Sequence, residues 1–231
     1  MWSEYNDPER QSMLHHICKD NSIAGVFLAQ LRDVDRQTDR ALFRRNLERM
    51  GEIFAYEISK SMVYETSQTD TPLGTAVSTV LVDQVVIASI LRAGLPMHEG
   101  FLNYFTEAEN CFVAARRMHH KDGSFDVDVE YITCPDIEDK VVIVCDPMIA
   151  TGSSMHKTLE AILKAGEPRQ IHIATAIISS YGLDYIRRIY PRAHVWIAAE
   201  DEELTAKSYV VPGLGDAGDL AYGGKTESGA D

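Results

Sequence analysis

No stretch of this chain approaches the roughly 20 consecutive apolar residues that a bilayer-spanning helix needs. The opening Met1-Trp-Ser-Glu-Tyr-Asn-Asp7 also lacks the basic and apolar regions of a secretory signal. A soluble, cytoplasmic protein with no membrane partner is therefore expected. Cysteine is scarce: Cys18, Cys111, Cys134 and Cys145 are widely spaced and form no CxxC pair, which argues for reduced structural thiols and against a zinc site. Basic residues are outnumbered, 22 Lys and Arg against 35 Asp and Glu, for a formal net charge of −13. Such a field repels phosphate polymers, so no nucleic-acid partner is expected. A small anion is still admissible where local arginines and backbone N–H groups overcome that field, which directs attention to isolated arginines in small-residue loops. Also missing are internal repeats, the Gly-to-Gly-Lys-Ser/Thr spacing of a nucleotide-triphosphate loop and the three-glycine dinucleotide fingerprint.

What is present is a regular alternation. Apolar, β-favouring runs at residues 85–90, 111–115, 141–145, 171–178 and 194–199 are separated by helical patterns. The order predicts a doubly wound α/β fold whose parallel strands are buried on both faces. With 45% hydrophobic residues, the 231-residue chain can fill one large domain. We expect an N-terminal arm at 1–27, extended or a short helix, a main domain at 28–223 and a flexible tail at 224–231. Thr38 reads as the N-cap of a long helix with Phe43, Leu47, Met50, Phe54, Ile58 and Met62 on one stripe and Arg40, Arg44, Arg45 and Arg49 beside it. Residues 64–80 predict a connecting pair of short strands. Asp122-Gly123 is a turn signal before a strand at 125–133, where strict alternation places Phe125, Val127, Val129 and Tyr131 on one face. His15 and His16 point to different faces of any regular element, which disfavours a shared metal.

Three stretches stand out chemically. The run Val141–Cys145 ends in Asp146-Pro-Met-Ile-Ala-Thr-Gly-Ser-Ser154, after which Met155, Leu159, Ile162 and Leu163 recur at helical spacing. A strand, a short polar loop and a helix start gather free N–H groups and a positive dipole end, a setting for phosphate. The plainer reading is a turn in which Ser153 or Ser154 only caps its helix; Asp146 at the strand's carboxyl end, where open α/β sheets bind ligands, weighs against it. The second stretch is Arg92, at the end of the 85–90 strand and followed by Ala and Gly. A diphosphate would fit there, although such an arginine more often just reaches solvent. The third, Tyr209-Val-Val-Pro-Gly-Leu-Gly-Asp-Ala-Gly-Asp219, carries three glycines and a proline. That composition predicts neither helix nor strand interior but a backbone shaped to read a flat heterocycle through its own C=O and N–H groups.

The string Asp146 to Ser154 resembles the phosphoribosyl-diphosphate (PRPP) signature of type I phosphoribosyltransferases. A single acid followed by Pro-Met is similar to the uracil phosphoribosyltransferases rather than to the purine enzymes, which carry two adjacent acids. Ile90-Leu-Arg-Ala-Gly-Leu95 with Met97, His98, Glu99 and Gly100, then Leu31-Arg-Asp33 and Ala55-Tyr-Glu57, and the Gly-rich C-terminal string extend the resemblance from about residue 28 to 223. It implies a type I phosphoribosyltransferase-like sheet with a hood formed by the C-terminal segment and a β-hairpin arm. The implied activity is conversion of uracil and PRPP to UMP and diphosphate in pyrimidine salvage. By the same resemblance Arg92, Arg116 and Asp146 would be catalytic. PRPP would be held by Arg92, Arg116, Arg117, Asp146, Pro147, Met148, Ile149, Ala150, Thr151, Gly152, Ser153, Ser154 and Asp216, and uracil by Val210, Gly215, Asp216 and Ala217. Magnesium would arrive with PRPP rather than at a dedicated metal site, and the protein would be a homodimer or homotetramer. The chain departs from the family pattern at Ser153, usually Gly, at Val210, usually Ile, and around His119, His120 and Lys121, where a Tyr-Arg-Asp string is missing and Arg116 and Arg117 compete for one role. A transferase for another nucleobase and a PRPP-binding regulatory protein are the alternatives.

Overall fold

A computed structural model describes residues 13–119 and 125–224, with the side chains of residues 116–127 outside the description. The apolar runs become strands of one sheet: β1 (Leu14–His16), β4 (Val85–Leu91), β5 (Glu109–His119), β6 (Phe125–Thr133), β7 (Val141–Cys145), β8 (Met148–Ile149), β9 (Gln170–Ser179) and β10 (His194–Asp201). Their order is β1-β10-β9-β7-β4-β5-β6, with β8 beside β9. All pairs are parallel except β5–β6. Helices α1 (Ile23–Arg32), α2 (Arg40–Ser59) and α3 (Leu95–Leu102) cover one face, and α4 (Ser153–Ile162) and α5 (Ser180–Ile189) the other. Burial on both sides explains why β4 and β7 are apolar at nearly every position instead of alternating, and why β9 is buried at every position from Ile173 to Ser179.

The α2 stripe from Phe43 to Ile58 is buried as its spacing predicts, and Met62 is buried just beyond the helix. The cap is Asp39 rather than Thr38. The Asp39 carboxylate accepts from the Ala41 and Leu42 N–H groups at 2.9 and 3.1 Å, while the Thr38 hydroxyl is turned back onto the Asp35 carbonyl. Residues 28–32 are the end of α1, and Asp33 is its C-cap. Within the stretch expected to be an extended or helical arm, the described residues form β1, which joins the sheet edge beside β10, and the start of α1.

The paired strands expected at 64–80 are β2 (Tyr64–Thr71) and β3 (Gly74–Leu81), a separate two-stranded ribbon. Its base is tied at the amino edge of the main sheet, where the Val63 N–H donates to Asp83 and Asp83 pairs with Arg169. The hairpin that runs beyond the carboxyl edge is β5–β6. The alternation expected along β6 is broken by a bulge: Ala115 faces Val129 and Ala114 faces Tyr131, leaving Glu130 as the extra residue. Val129 therefore packs on the core, whereas Tyr131 turns to the other face and is 58% exposed.

The glycine-rich C-terminal stretch is more regular than its composition suggests. It forms β12 (Val210–Val211), which pairs with β11 (Glu203–Leu204), and then a short helix, α6 (Ala217–Tyr222).

Candidate active site

In a parallel sheet every strand ends on the same edge, and the register here aligns Ser89 with Cys145, Cys145 with Ala174, and Ser179 with Asp201. The loops that follow β4, β7 and β10 therefore leave from one rim.

After β4 the chain turns through Arg92 into α3, with the Gly94 N–H donating to the Ile90 carbonyl at 2.9 Å. Gly94 is required by space. A Cβ there would sit 2.7 Å from Ser89 Oγ and 2.8 Å from the Cys145 carbonyl, so only glycine lets this turn lie against the end of β7. The Leu91–Arg92 peptide is cis. Arg92 reaches across the rim to α6, donating from Nη2 to Asp219 Oδ1 at 3.0 Å and from Nη1 to the Gly223 carbonyl at 3.3 Å.

The stretch after β7 is not a free polar loop throughout. The Asp146 N–H bonds the Ala174 carbonyl at 3.2 Å, the Pro147 carbonyl accepts from Ile177, and Met148–Ile149 re-enter the sheet as β8. Only Ala150 to Gly152 remain as a turn, clamped by the Ser179 hydroxyl, which donates to the Ala150 carbonyl and accepts from Gly182 N–H at 2.9 Å. Gly152 takes φ +81° and is packed so closely against α5 that a Cβ would meet Tyr185 Cδ1 at 2.8 Å. Since Gly152 alone supplies the left-handed residue, Ser153 begins α4 with ordinary helical backbone, which explains how a serine is tolerated where glycine is usual. Ser153 and Ser154 do not cap the helix; the N-cap is Gly152, which has no side chain. The first-turn N–H groups of α4 are thus left uncapped, apart from a 3.4 Å contact of Ser153 N–H with Thr151 Oγ1.

The third loop is shaped by Gly213 at φ +55° and Gly215 at φ +95°, with the Val211–Pro212 peptide cis. Val210 is buried, and a Cβ on Gly213 would collide with its carbonyl. The loop is anchored by a residue that sequence reasoning missed. Asp201, at the end of β10 and 6% exposed, accepts the Gly213 N–H at 2.8 Å and two bonds from Arg32, each 2.8 Å. Arg32 also donates to the Gly213 carbonyl at 3.0 Å. Burial pushes the Asp201 carboxyl up, and the bonds from Arg32 and Gly213 with the Arg32 charge more than reverse this, leaving it below the usual carboxylate value. The signals in the sequence were Leu31-Arg-Asp33 and the acidic run Glu200-Asp-Glu-Glu203 at the end of an apolar run. Asp216 is the N-cap of α6, accepting the Asp219 N–H at 3.0 Å, and Ala217 is buried beside it.

Arg116 and Arg117 lie on β5 opposite Asp128 and Val127, past the point where β4 ends, since Leu91 pairs with Ala114. Their side chains, and all of His120 and Lys121, fall outside the described residues. Among the described residues no three His, Cys, Asp or Glu side chains converge on a metal position. A groove of about 740 Å³, lined by Glu138, Glu167, Arg169, Tyr190 and Arg192 among others, opens at the amino edge, opposite the three loops.

Residues 18–224 match the sequence model of a family described as uracil phosphoribosyltransferase. The chain belongs to that family. A uracil phosphoribosyltransferase of Porphyromonas gingivalis is 53% identical over 211 residues, covering 91% of this chain and 98% of the relative. One from Thermococcus gammatolerans is 36% identical, covering 91% and 93%. Among solved structures, a protein of Aquifex aeolicus superposes with a TM-score of 0.82 at 28% identity, covering 91% of this chain and 98% of that one. As a uracil phosphoribosyltransferase family member, the chain presents its three motif loops on one rim, with Arg92 physically joined to the C-terminal segment.

Proposed function

We propose that the protein transfers the phosphoribosyl group of PRPP to uracil, giving UMP and diphosphate for pyrimidine salvage. The observation that carries this reading is the meeting of the Arg92 turn, the Thr151 turn and the Gly215 turn on one carboxyl edge, in a chain of this family. The uncapped N–H groups of α4, with Thr151, Gly152, Ser153 and Ser154, suit the 5′-phosphate, and Pro147, Met148, Ile149 and Ala150 shape the floor beneath it. Asp146 holds ribose hydroxyls. Arg92, with Arg116 or Arg117, faces the diphosphate. The main chain at Val210, Gly215 and Ala217 reads the uracil edge, and Asp216 stands between base and sugar.

In the reaction the bond from the anomeric carbon to diphosphate breaks as the bond to uracil N1 forms, and N1 gives up its proton. Positive charge builds on the sugar and negative charge on the leaving group, so the protein's share is orientation and electrostatic stabilisation. Magnesium brought in on PRPP would neutralise part of the diphosphate charge. Asp146 and Asp216 fit a cation that substrate oxygens largely coordinate, since one or two carboxylates suffice in such cases. We further propose a cytoplasmic homodimer or homotetramer. No described helix is long and apolar enough to cross a membrane, and the β2–β3 ribbon exposes Leu73 and Val77.

The test is diphosphate release from PRPP and magnesium with each nucleobase in turn. Release with uracil alone is expected; PRPP binding without turnover on any base would overturn the reading.

A further inference from the structure

We infer that Asp219 is the positioning residue of this site: it holds the Arg92 guanidinium extended across the rim so that it meets the diphosphate already oriented. The inference rests on the reading of Arg92 as a diphosphate contact.

Arg92 leaves the turn after β4 and finds its partners 127 and 131 residues further along the chain, at Asp219 and at the Gly223 carbonyl. Both belong to α6 and its end. Asp219 is itself fixed, because its N–H is held by the Asp216 carboxylate at 3.0 Å and its carbonyl accepts the Gly223 N–H at 2.8 Å. Gly218, next to it, lies close under the Asp216 carboxylate: a Cβ there would come within 3.2 Å of Asp216 Oδ1, while Arg92 Nη2 would be at an ordinary contact distance of 3.7 Å. A guanidinium on a long flexible side chain is thus clamped at two points to the segment that carries Val210, Gly215 and Ala217. Only two of its five N–H donors are used, and the others have no partner among the described residues.

An ion pair at a binding residue can hold it ready or keep it from its ligand, and magnitude decides between these. The pair is exposed, 37% at Arg92 and 41% at Asp219, and such pairs shift an equilibrium by about fivefold at most. That is too little to bar a multiply charged diphosphate. Orientation has more to offer, because a charged donor fixed in advance is not reorganised when the leaving group charges up. It also explains why the clamp comes from α6: the base-reading segment and the diphosphate turn are set in one frame.

The experiment compares wild type, Asp219→Asn, Asp219→Glu, Arg92→Ala and the Arg92→Ala/Asp219→Asn double variant. Calorimetry measures binding of PRPP with magnesium and no base, and steady-state assays give kcat and KM for PRPP and for uracil. Asp219→Asn is expected to weaken PRPP binding and raise its KM by about three- to fivefold, to leave KM for uracil at the wild-type value, and to be partly rescued by glutamate. In the Arg92→Ala background the same change should add nothing. Tighter PRPP binding by Asp219→Asn would mean that the pair sequesters Arg92. A further loss in the double variant, or a shift in uracil KM alone, would mean that Asp219 only supports α6. Either result overturns the inference. A wild-type protein that binds PRPP but turns over no base would defeat the proposed function instead, while the calorimetric comparison would still judge Asp219.

Discussion

Arg92 is the residue on which the chemistry leans most, and it is partly exposed, so its removal leaves the core intact. Arg92→Ala should lower kcat/KM by tens of fold or more, with the thermal unfolding midpoint close to that of wild type; equal activity would remove its role. Gly152 and Ser153 make a contrasting pair. Gly152→Ala forces a side chain into left-handed backbone and against Tyr185, and is expected to cost about 2 kcal/mol or more in denaturant unfolding together with PRPP affinity. Ser153→Gly, which restores the residue usual in the family, should leave KM for PRPP unchanged, because the left-handed position is already filled one residue earlier. At this scale the motif strings were readable because they encode local backbone demands: a glycine at a tight turn, small residues at a helix start. Asp201 and Arg32 were not readable, since an aspartate in an acidic run has the same local pattern whether it is solvated or buried.

Among the elements, α2 and α3 touch backbone to backbone at two glycines. A Cβ on Gly51 would strike the Met97 carbonyl, and one on Gly100 the Glu48 carbonyl, both backbone groups that cannot swing aside. Because α3 follows the Arg92 turn directly, this contact helps to seat that turn. Gly100→Ala is expected to destabilise the fold by about 2 kcal/mol or more and to raise KM for PRPP. The C-terminal loop depends in the same way on one tether: Asp201→Ala strands both the half-buried Arg32 charge and the Gly213 N–H. It should cost roughly 2–4 kcal/mol and weaken uracil binding more than PRPP binding, as separate KM values would reveal. Strand and helix positions were legible from apolar runs and the α2 stripe. The cap at Asp39 was displaced by one residue because Thr38 has a competing local bond to Asp35. The bulge at Glu130 was invisible because alternation within one strand says nothing about the strand beside it.

Across the whole molecule, the edge where β1 meets β10 holds three histidines packed around Trp196. The Trp196 indole N–H donates to His172 Nδ1 at 3.0 Å, which requires that nitrogen to be unprotonated. His15 stacks on the same indole at 3.8 Å and lies 3.2 Å from His194 Nδ1. Burial, then the His194 charge, lowers His172 to about 3, and burial, then His194, lowers His15 to about 4. Both lie below the unfolded value of about 6.5, so the stability they contribute is present above that pH and is lost as pH falls toward their folded values. The unfolding midpoint should therefore drop steadily between pH 6.5 and 4, and less steeply in His172→Gln, as thermal scans across that range would show. What the sequence by itself determined was the alternation of strands and helices and the three motif strings, because hydrophobic periodicity and the conformational needs of glycine and proline act over a few residues. Only the tertiary structure decided that those strings share one rim and that Arg32 meets Asp201 across 169 residues and Arg92 meets Asp219 across 127. Which strands become neighbours is settled by packing both faces of the sheet at once, and no local stretch of sequence contains that information.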